Sequence, residues 1–406
     1  MLSQKNYRLI IALYLFVLTL LSIYYLAAVN VVPTYNAMTE WVINYQGGFV
    51  RRGLIGELVF QISNLFNLNL RFTFLIFQSF FYLIFYYLIY DLLKNINPNY
   101  FIILAIFSPV FIIFPLAELE ALGRKEILMF IVLLISIKLY FYYFNNNFLL
   151  IFISTVFPIL ILTHEAVIFY SFFFISLILI TKQNINTLYF FKLFIFSLPS
   201  LISIYFVYFY PHSLEETEKM CQELNKIGEQ CGLAAAFISK RIDTHIAEVN
   251  WETTHVLRYI FIFIAGFFAL IYLSSKSKLN KNLINPFFVN KPFILHFILL
   301  IVPTLSMFVI AVDTGRWTNM SYTCAFIFYF GLLSNKALIL DKNLLDLNIP
   351  YLKFRFFLKI FFFILVCLSW NPKAVHHEDL GSIAIYRIVE KLPNFYNNIF
   401  KIEIFR

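Results

Sequence analysis

Arg51 and Arg52 stand side by side in the stretch NYQGGFVRRGLIGE (44–57), among Gly47, Gly48, Gly53 and Gly56. A guanidinium fork grips phosphate oxygens two at a time, so paired arginines beside glycine-exposed amides suit a phosphate or pyrophosphate. Arg124 and Lys125 repeat the pattern in ELEALGRKE (118–126), among Glu118, Glu120 and Glu126. Cations at the start of a helix oppose its macrodipole and call for an anion, supplied by those carboxylates or by a ligand. THE (163–165) brings two titratable groups, His164 and Glu165, to a place where a tight turn ordinarily takes Gly, Asn, Asp or Pro. A helical hairpin that needs two polar residues is the plainer reading of that pair. DTGRW (313–317) adds Asp313, Arg316 and Trp317. Asp313 and Arg316 are one helical turn apart, and pairing with each other is the alternative to a shared ligand.

The elements that must position these groups are apolar. Of 406 residues 61% are hydrophobic and 13% charged, and the mean hydropathy of +0.80 rules out an ordinary soluble domain. Runs long enough to cross about 30 Å of hydrocarbon predict an all-α, polytopic transmembrane helical bundle forming one membrane domain over 1–406. About eleven spans are expected, near 9–30, 71–93, 101–117, 126–144, 147–163, 166–181, 188–209, 256–274, 293–312, 318–335 and 354–370. The first is too long and too aromatic for a signal peptide and is expected to be retained. GLIGELVFQISNLF (54–67), within a loop at 31–70, is too short to span and reads as an interfacial helix.

Orientation follows from lysine and arginine in short loops. With the N-terminus cytoplasmic, fifteen of them fall inside and six outside, namely Arg51, Arg52, Arg71, Arg124, Lys125 and Arg316. The inside positives are mostly lone lysines in Asn- and Leu-rich filler, whereas the outside ones sit in compact motifs. Arg71, like Arg258, reads as an anchor that snorkels to the interface. Five polar segments then share the outer face: 44–57, 118–126, 163–165, the larger loop 210–255, and 313–317, with a C-terminal tail at 371–406. Cys221 and Cys231 lie in that larger loop, and a disulfide between them suits an oxidising compartment. The same loop carries Arg241, Asp243, His245, Glu248, Trp251, Glu252 and His255, a mixture that would suit a sugar. The net charge of +9 fits loops against anionic lipid and gives no sign of nucleic acid. Walker A, GxGxxG, HExxH and GxSxG motifs are missing, and no Cys or His pairs have zinc spacing. A substrate must therefore arrive already activated.

GGFVRRGLIGE, GRKE, HE and GRW, in this order, resemble the hydrophobic membrane proteins of bacterial surface-polysaccharide clusters, and among these the Wzy-type O-antigen or capsule polymerases. The resemblance implies transfer of an oligosaccharide from undecaprenyl pyrophosphate to a second lipid-linked acceptor, at the periplasmic face of a bacterial inner membrane. It implies that Arg51, Arg52, Arg124, Lys125 and Arg316 hold the pyrophosphate. Glu165, or His164 beside it, would take the proton of the attacking hydroxyl, with Asp313 in reserve. Gly47, Gly48, Gly53, Glu57, Glu126 and Trp317 would support them. No metal and no cofactor are called for. The implied partners are the lipid-linked oligosaccharide and membrane lipids, with a chain-length regulator as a further candidate. The GT-C glycosyltransferases, which use polyprenyl monophosphate sugars, are the second resemblance. They place a catalytic Asp in the first outer loop, where this chain offers Glu40 and Glu57. A transporter or flippase of lipid-linked sugars is the reading from another class.

Overall fold

Backbone groups in hydrocarbon find no water, so an apolar chain closes its hydrogen bonds within helices. The computed structural model describes residues 3–32, 36–143, 145–182, 185–209, 214–232, 235, 238, 252–311, 313–341, 352–374 and 383–399. In chain order the helices are α1 Gln4–Asn30, α2 Asn36–Trp41, α3 Leu54–Leu65, α4 Leu70–Leu93, α5 Tyr100–Ile106, α6 Phe114–Ala117, α7 Ile127–Tyr143, α8 Asn146–Thr163, α9 Ser171–Thr181, α10 Thr187–Phe209 and α11 Leu214–Lys226. They continue as α12 Thr253–Ser275, α13 Pro286–Val289, α14 Phe293–Ile301, α15 Met307–Ile310, α16 Thr314–Ser334, α17 Leu352–Phe363 and α18 Ala384–Ile399. Two three-residue strands, Ser277–Leu279 and Leu338–Leu340, pair antiparallel with Lys278 opposite Ile339.

The chain is thus an all-α helical membrane protein. Among the described residues, six stretches are long and apolar enough to cross a bilayer: α1, α4, α8, α10, α12 and the run 293–310 that contains α14 and α15. The other expected spans take different forms. Ile127–Tyr143, Glu165–Thr181 and Phe357–Leu368 are shorter apolar helices, the second opening as a 3-10 turn over Glu165–Tyr170. The stretch 101–117 is not a continuous helix but breaks between α5 and α6. The break is built into the interior, because Asn319 donates to the Val110 and Phe111 carbonyls at 2.8 and 2.9 Å and Tyr322 to the Ala105 carbonyl. Those donors sit on α16, which is buried from Thr314 to Leu332 and forms the axis of the bundle. A helix buried all round carries its polar residues toward neighbouring backbone, where each satisfies a group that lipid could not.

The two ends of the bundle differ in charge. Gln4 and Arg8 bond the Lys94 carbonyl, Lys138 pairs with Asp91, and Tyr140 and Asn285 reach the Thr181 and Lys182 carbonyls. Lysines expected on one side of the membrane gather at this end. At the other end Asn30 and Arg71 bond each other's carbonyls, and α18 packs there too, through Tyr24 on Leu392 and Arg387 on Glu118. The segments carrying Arg51, Arg52, Arg124, Lys125 and Arg316 meet at the same end.

A second, smaller core covers the arginine-rich end. Trp41, Val50, Phe60 and Phe74 pack with Met220 and Leu224 of α11. Cys221 and Cys231 are disulfide-bonded, and Glu229 pairs with Arg71 at 2.7 Å. Residues 54–67, expected as an interfacial helix, form α3 over Leu54–Leu65, which buries Val59 and Phe60 and exposes Leu58 and Leu65. Arg241, Asp243, His245, Glu248 and Trp251 lie outside the described residues.

Candidate functional site

The four arginines of the site arrive on three segments, and each has a carboxylate within ion-pair reach. Arg52 grips Glu165 with both arms, Nε to Oε2 at 2.8 Å and Nη2 to Oε1 at 2.7 Å. Arg51 lies 3.7 Å from the same carboxylate. Arg124, in the turn before α7, reaches Glu40 at 2.6 Å and Glu120 at 3.7 Å. Arg316, in the first turn of α16, contacts Glu126 through Nε and Nη2, Asp313 at 2.9 Å and Glu40 at 3.4 Å. Its guanidinium also lies 5.0 Å from the Trp317 ring. The sequence brings the cations together as expected. The structure adds that carboxylates of the chain itself lie against each arginine.

Glu40, one of the two acids that the first outer loop offers, is the hub of this network. It lies in the last turn of α2, is 3% exposed, and touches Arg52, Arg124 and Arg316. Burial pushes its carboxyl up, but Arg124, Arg316 and Arg52 pull harder and hold it well below the usual carboxylate range. The available signal was a lone acid in the neutral stretch NAMTEWVIN, between the first span and the arginine pair.

His164 caps α8 and accepts the Ala166 N–H at Nδ1. That bond leaves the proton of the neutral ring on Nε2, which lies 3.5 Å from Glu126 Oε1 and 3.1 Å from Arg316 Nη2. Burial, helped by Arg52, lowers the imidazole to about 4, so it is neutral at pH 7. Glu40, Glu126 and His164 bring ligand atoms within 4.8 Å of one another, which is close enough for a metal ion. Two features argue against that use. Arg316 Nη2 already contacts all three residues. A ligating histidine also donates from its second nitrogen, whereas this one accepts there.

Asp313 is the most accessible carboxylate held by Arg316. Its side chain is 29% exposed, and its Oδ2 takes the Arg316 Nη1 contact. Glu165, expected to act as the base, accepts from Arg52 at both oxygens. Glu57 is also not at the centre: it accepts from Tyr45 N and from the Gln46 and Gln61 amides, which shapes the loop. The glycines near the arginines approach protein instead of phosphate. A Cβ on Gly47 would lie 2.1 Å from the Glu216 carbonyl oxygen of α11, and one on Gly53 would lie 2.2 Å from the Tyr45 ring. Gly48 turns through φ 126° against the Glu216 side chain. Glu118, a proposed counterion for Arg124, pairs with Arg387 of α18.

Below the cluster lies a cavity of about 30 Å³, lined by Arg124, Glu126 and Arg316 above and by Phe85, Phe130 and Met320 beneath. It has room for a water or two. Comparison with protein families, with curated proteins and with solved structures finds no match to this chain.

Proposed function

We propose that the chain is a membrane-embedded glycosyltransferase whose donor is a sugar carried on a polyprenyl phosphate or pyrophosphate. The observation that carries this reading is the convergence of five cations and five carboxylates from several segments at one end of an apolar bundle. A lipid-linked phosphate presents its charge at that depth, and preorganised cations stabilise the charge gained on leaving. Asp313, the accessible carboxylate, takes the proton of the attacking hydroxyl. Glu165 and Glu40 hold the arginines in place. The cluster lies beside the Cys221–Cys231 disulfide, which fits an oxidising compartment such as the bacterial periplasm.

Within this class the first reading is a polymerase of undecaprenyl-pyrophosphate-linked repeat units, as the motif order suggests. Glu40 favours the second reading, a GT-C-type transferase of single sugars, because it supplies a buried acid from the first loop after α1. Cells deleted for the gene and complemented with wild type or Asp313→Asn, at matched membrane levels, separate the two on a glycan gel. Collapse of a ladder to single repeat units supports the polymerase, and loss of the first unit supports the single-sugar transferase. A normal ladder with Asp313→Asn removes Asp313 from the chemistry.

A further inference from the structure

Each of the four arginines in the cluster has a carboxylate within ion-pair reach, but Lys125 does not. Lys125 is 1% exposed, takes part in no ion pair among the described residues, and makes its hydrogen bond from Nζ to the Arg52 carbonyl at 2.6 Å. Lysines are rarely buried unless paired, and an ammonium has three N–H groups to place. The carbonyl it holds is unusual in turn. Arg52 has φ 65°, in the left-handed region that side chains seldom adopt. Lys125 on its carbonyl and Glu165 on its guanidinium fix it from two sides. Its side chain is also the most exposed of the site's arginines, at 22% against 11% for Arg124 and 6% for Arg316. The 51–53 turn is therefore the edge at which a ligand arrives.

We propose that the Arg52 carbonyl is a stand-in for an anionic oxygen: when a phosphorylated ligand binds, that oxygen takes its place on Lys125 Nζ and the 51–53 turn moves aside. The inference rests on the phosphate reading of the site and names which of the five cations captures the anion. For an arginine to do so, a buried ion pair must break. For Lys125, only a neutral carbonyl must leave, with release of a disfavoured backbone conformation. Lys125 faces Glu40 from α2, Arg52 from the turn, Glu165 from the segment after α8 and Glu126 from its own turn. Burial outweighs the three carboxylates and lowers it to about 7, so anion capture near neutral pH takes up part of a proton as well.

The test is calorimetry on the full chain in nanodiscs at pH 7, in two buffers of different ionisation enthalpy. The probes are geranylgeranyl pyrophosphate and inorganic pyrophosphate. Wild type is expected to bind with proton uptake, Lys125→Met to bind at least roughly tenfold more weakly without it, and Lys125→Arg to bind comparably without it. Tighter binding of the prenylated probe makes a lipid carrier the source of the anion, whereas equal binding makes it a free anion. A folded Lys125→Met that binds like wild type overturns the inference, as does wild type that binds neither probe. Should Lys125→Met not fold, persistence of proton uptake in Lys125→Arg overturns it. Lys125-dependent binding with no glycosyl transfer to any acceptor would leave the inference standing and remove the enzymatic reading.

Discussion

At the scale of residues, the arginine network separates groups that hold the site from groups free to react. Arg52 and Glu165 are mutually satisfied and largely buried. Removing either leaves an uncompensated charge, a loss of about 3–5 kcal/mol for buried pairs. Glu165→Gln is therefore predicted to lower the thermal midpoint in detergent by several degrees, and Asp313→Asn to leave it within a degree or two while removing transfer activity. If Glu165→Gln keeps wild-type stability but loses activity, Glu165 returns as the base. His164 gives a pH signature. Its folded value is about 4, below the ordinary 6.5, so between those values the unfolded chain binds a proton that the folded chain refuses. Stability is predicted to fall as pH drops from 6.5 to 4 and to level off below, with His164→Gln flattening that slope. Lys125 has the same sign in another window. With a folded value of about 7 against an ordinary 10.5, its cost is full below pH 7 and is relieved as pH rises toward 10.5. A stability profile flat across both windows would count against these burials.

At the scale of elements, what was legible was what local chemistry writes into a segment. Apolar runs announced the helices, and arginines near their ends announced which segments meet. Three features required the folded chain. The break in 101–117 depends on Asn319 and Tyr322, two hundred residues away, to bond carbonyls that the helix leaves open. The pairing of each arginine is a long-range matter, Arg52 to Glu165 and Arg316 to Glu126. The glycines of GGFVRRGLIG allow close backbone approach, and the approaching groups are α11 at Gly47 and Gly48, the Tyr45 ring at Gly53 and the Trp41 and Ile43 carbonyls at Gly56. Gly47→Val is accordingly predicted to lift α11 from the 44–50 loop, since the space beyond its Cα belongs to the Glu216 carbonyl and Met220 amide. Loosening of this cap would appear as faster hydrogen exchange in both α11 and the loop, with the lysine-rich end unchanged. Cys221→Ser with Cys231→Ser should loosen the same surface at a cost of about 2–3 kcal/mol. Exchange confined to residues 214–232 in either variant would mean that the loop does not depend on its cover.

At the scale of the molecule, the two ends of the bundle are held apart by its length. One collects Arg8, Lys94, Lys138 and Lys182, with lone lysines and few acids. The other collects arginines that carboxylates match nearly one for one. Loop lysines retained on the cytoplasmic side set orientation by their number. Balanced, buried pairs contribute little to that bias and much to a site. The lysine-rich end is therefore predicted to face the cytoplasm and the arginine-rich end the oxidising side. The native cysteines permit a clean measurement, because Cys324 and Cys367 are buried and the other two are bonded. Single cysteines placed at exposed Asn67 and at exposed Asn95 lie at opposite ends of α4. In intact cells a membrane-impermeant maleimide is expected to label the first and spare the second, and permeabilised cells should label both. The reverse pattern would turn the whole bundle over. The arginine cluster and its disulfide would then lie in a reducing compartment, and the proposed lipid-linked donor would have to be a cytoplasmic one.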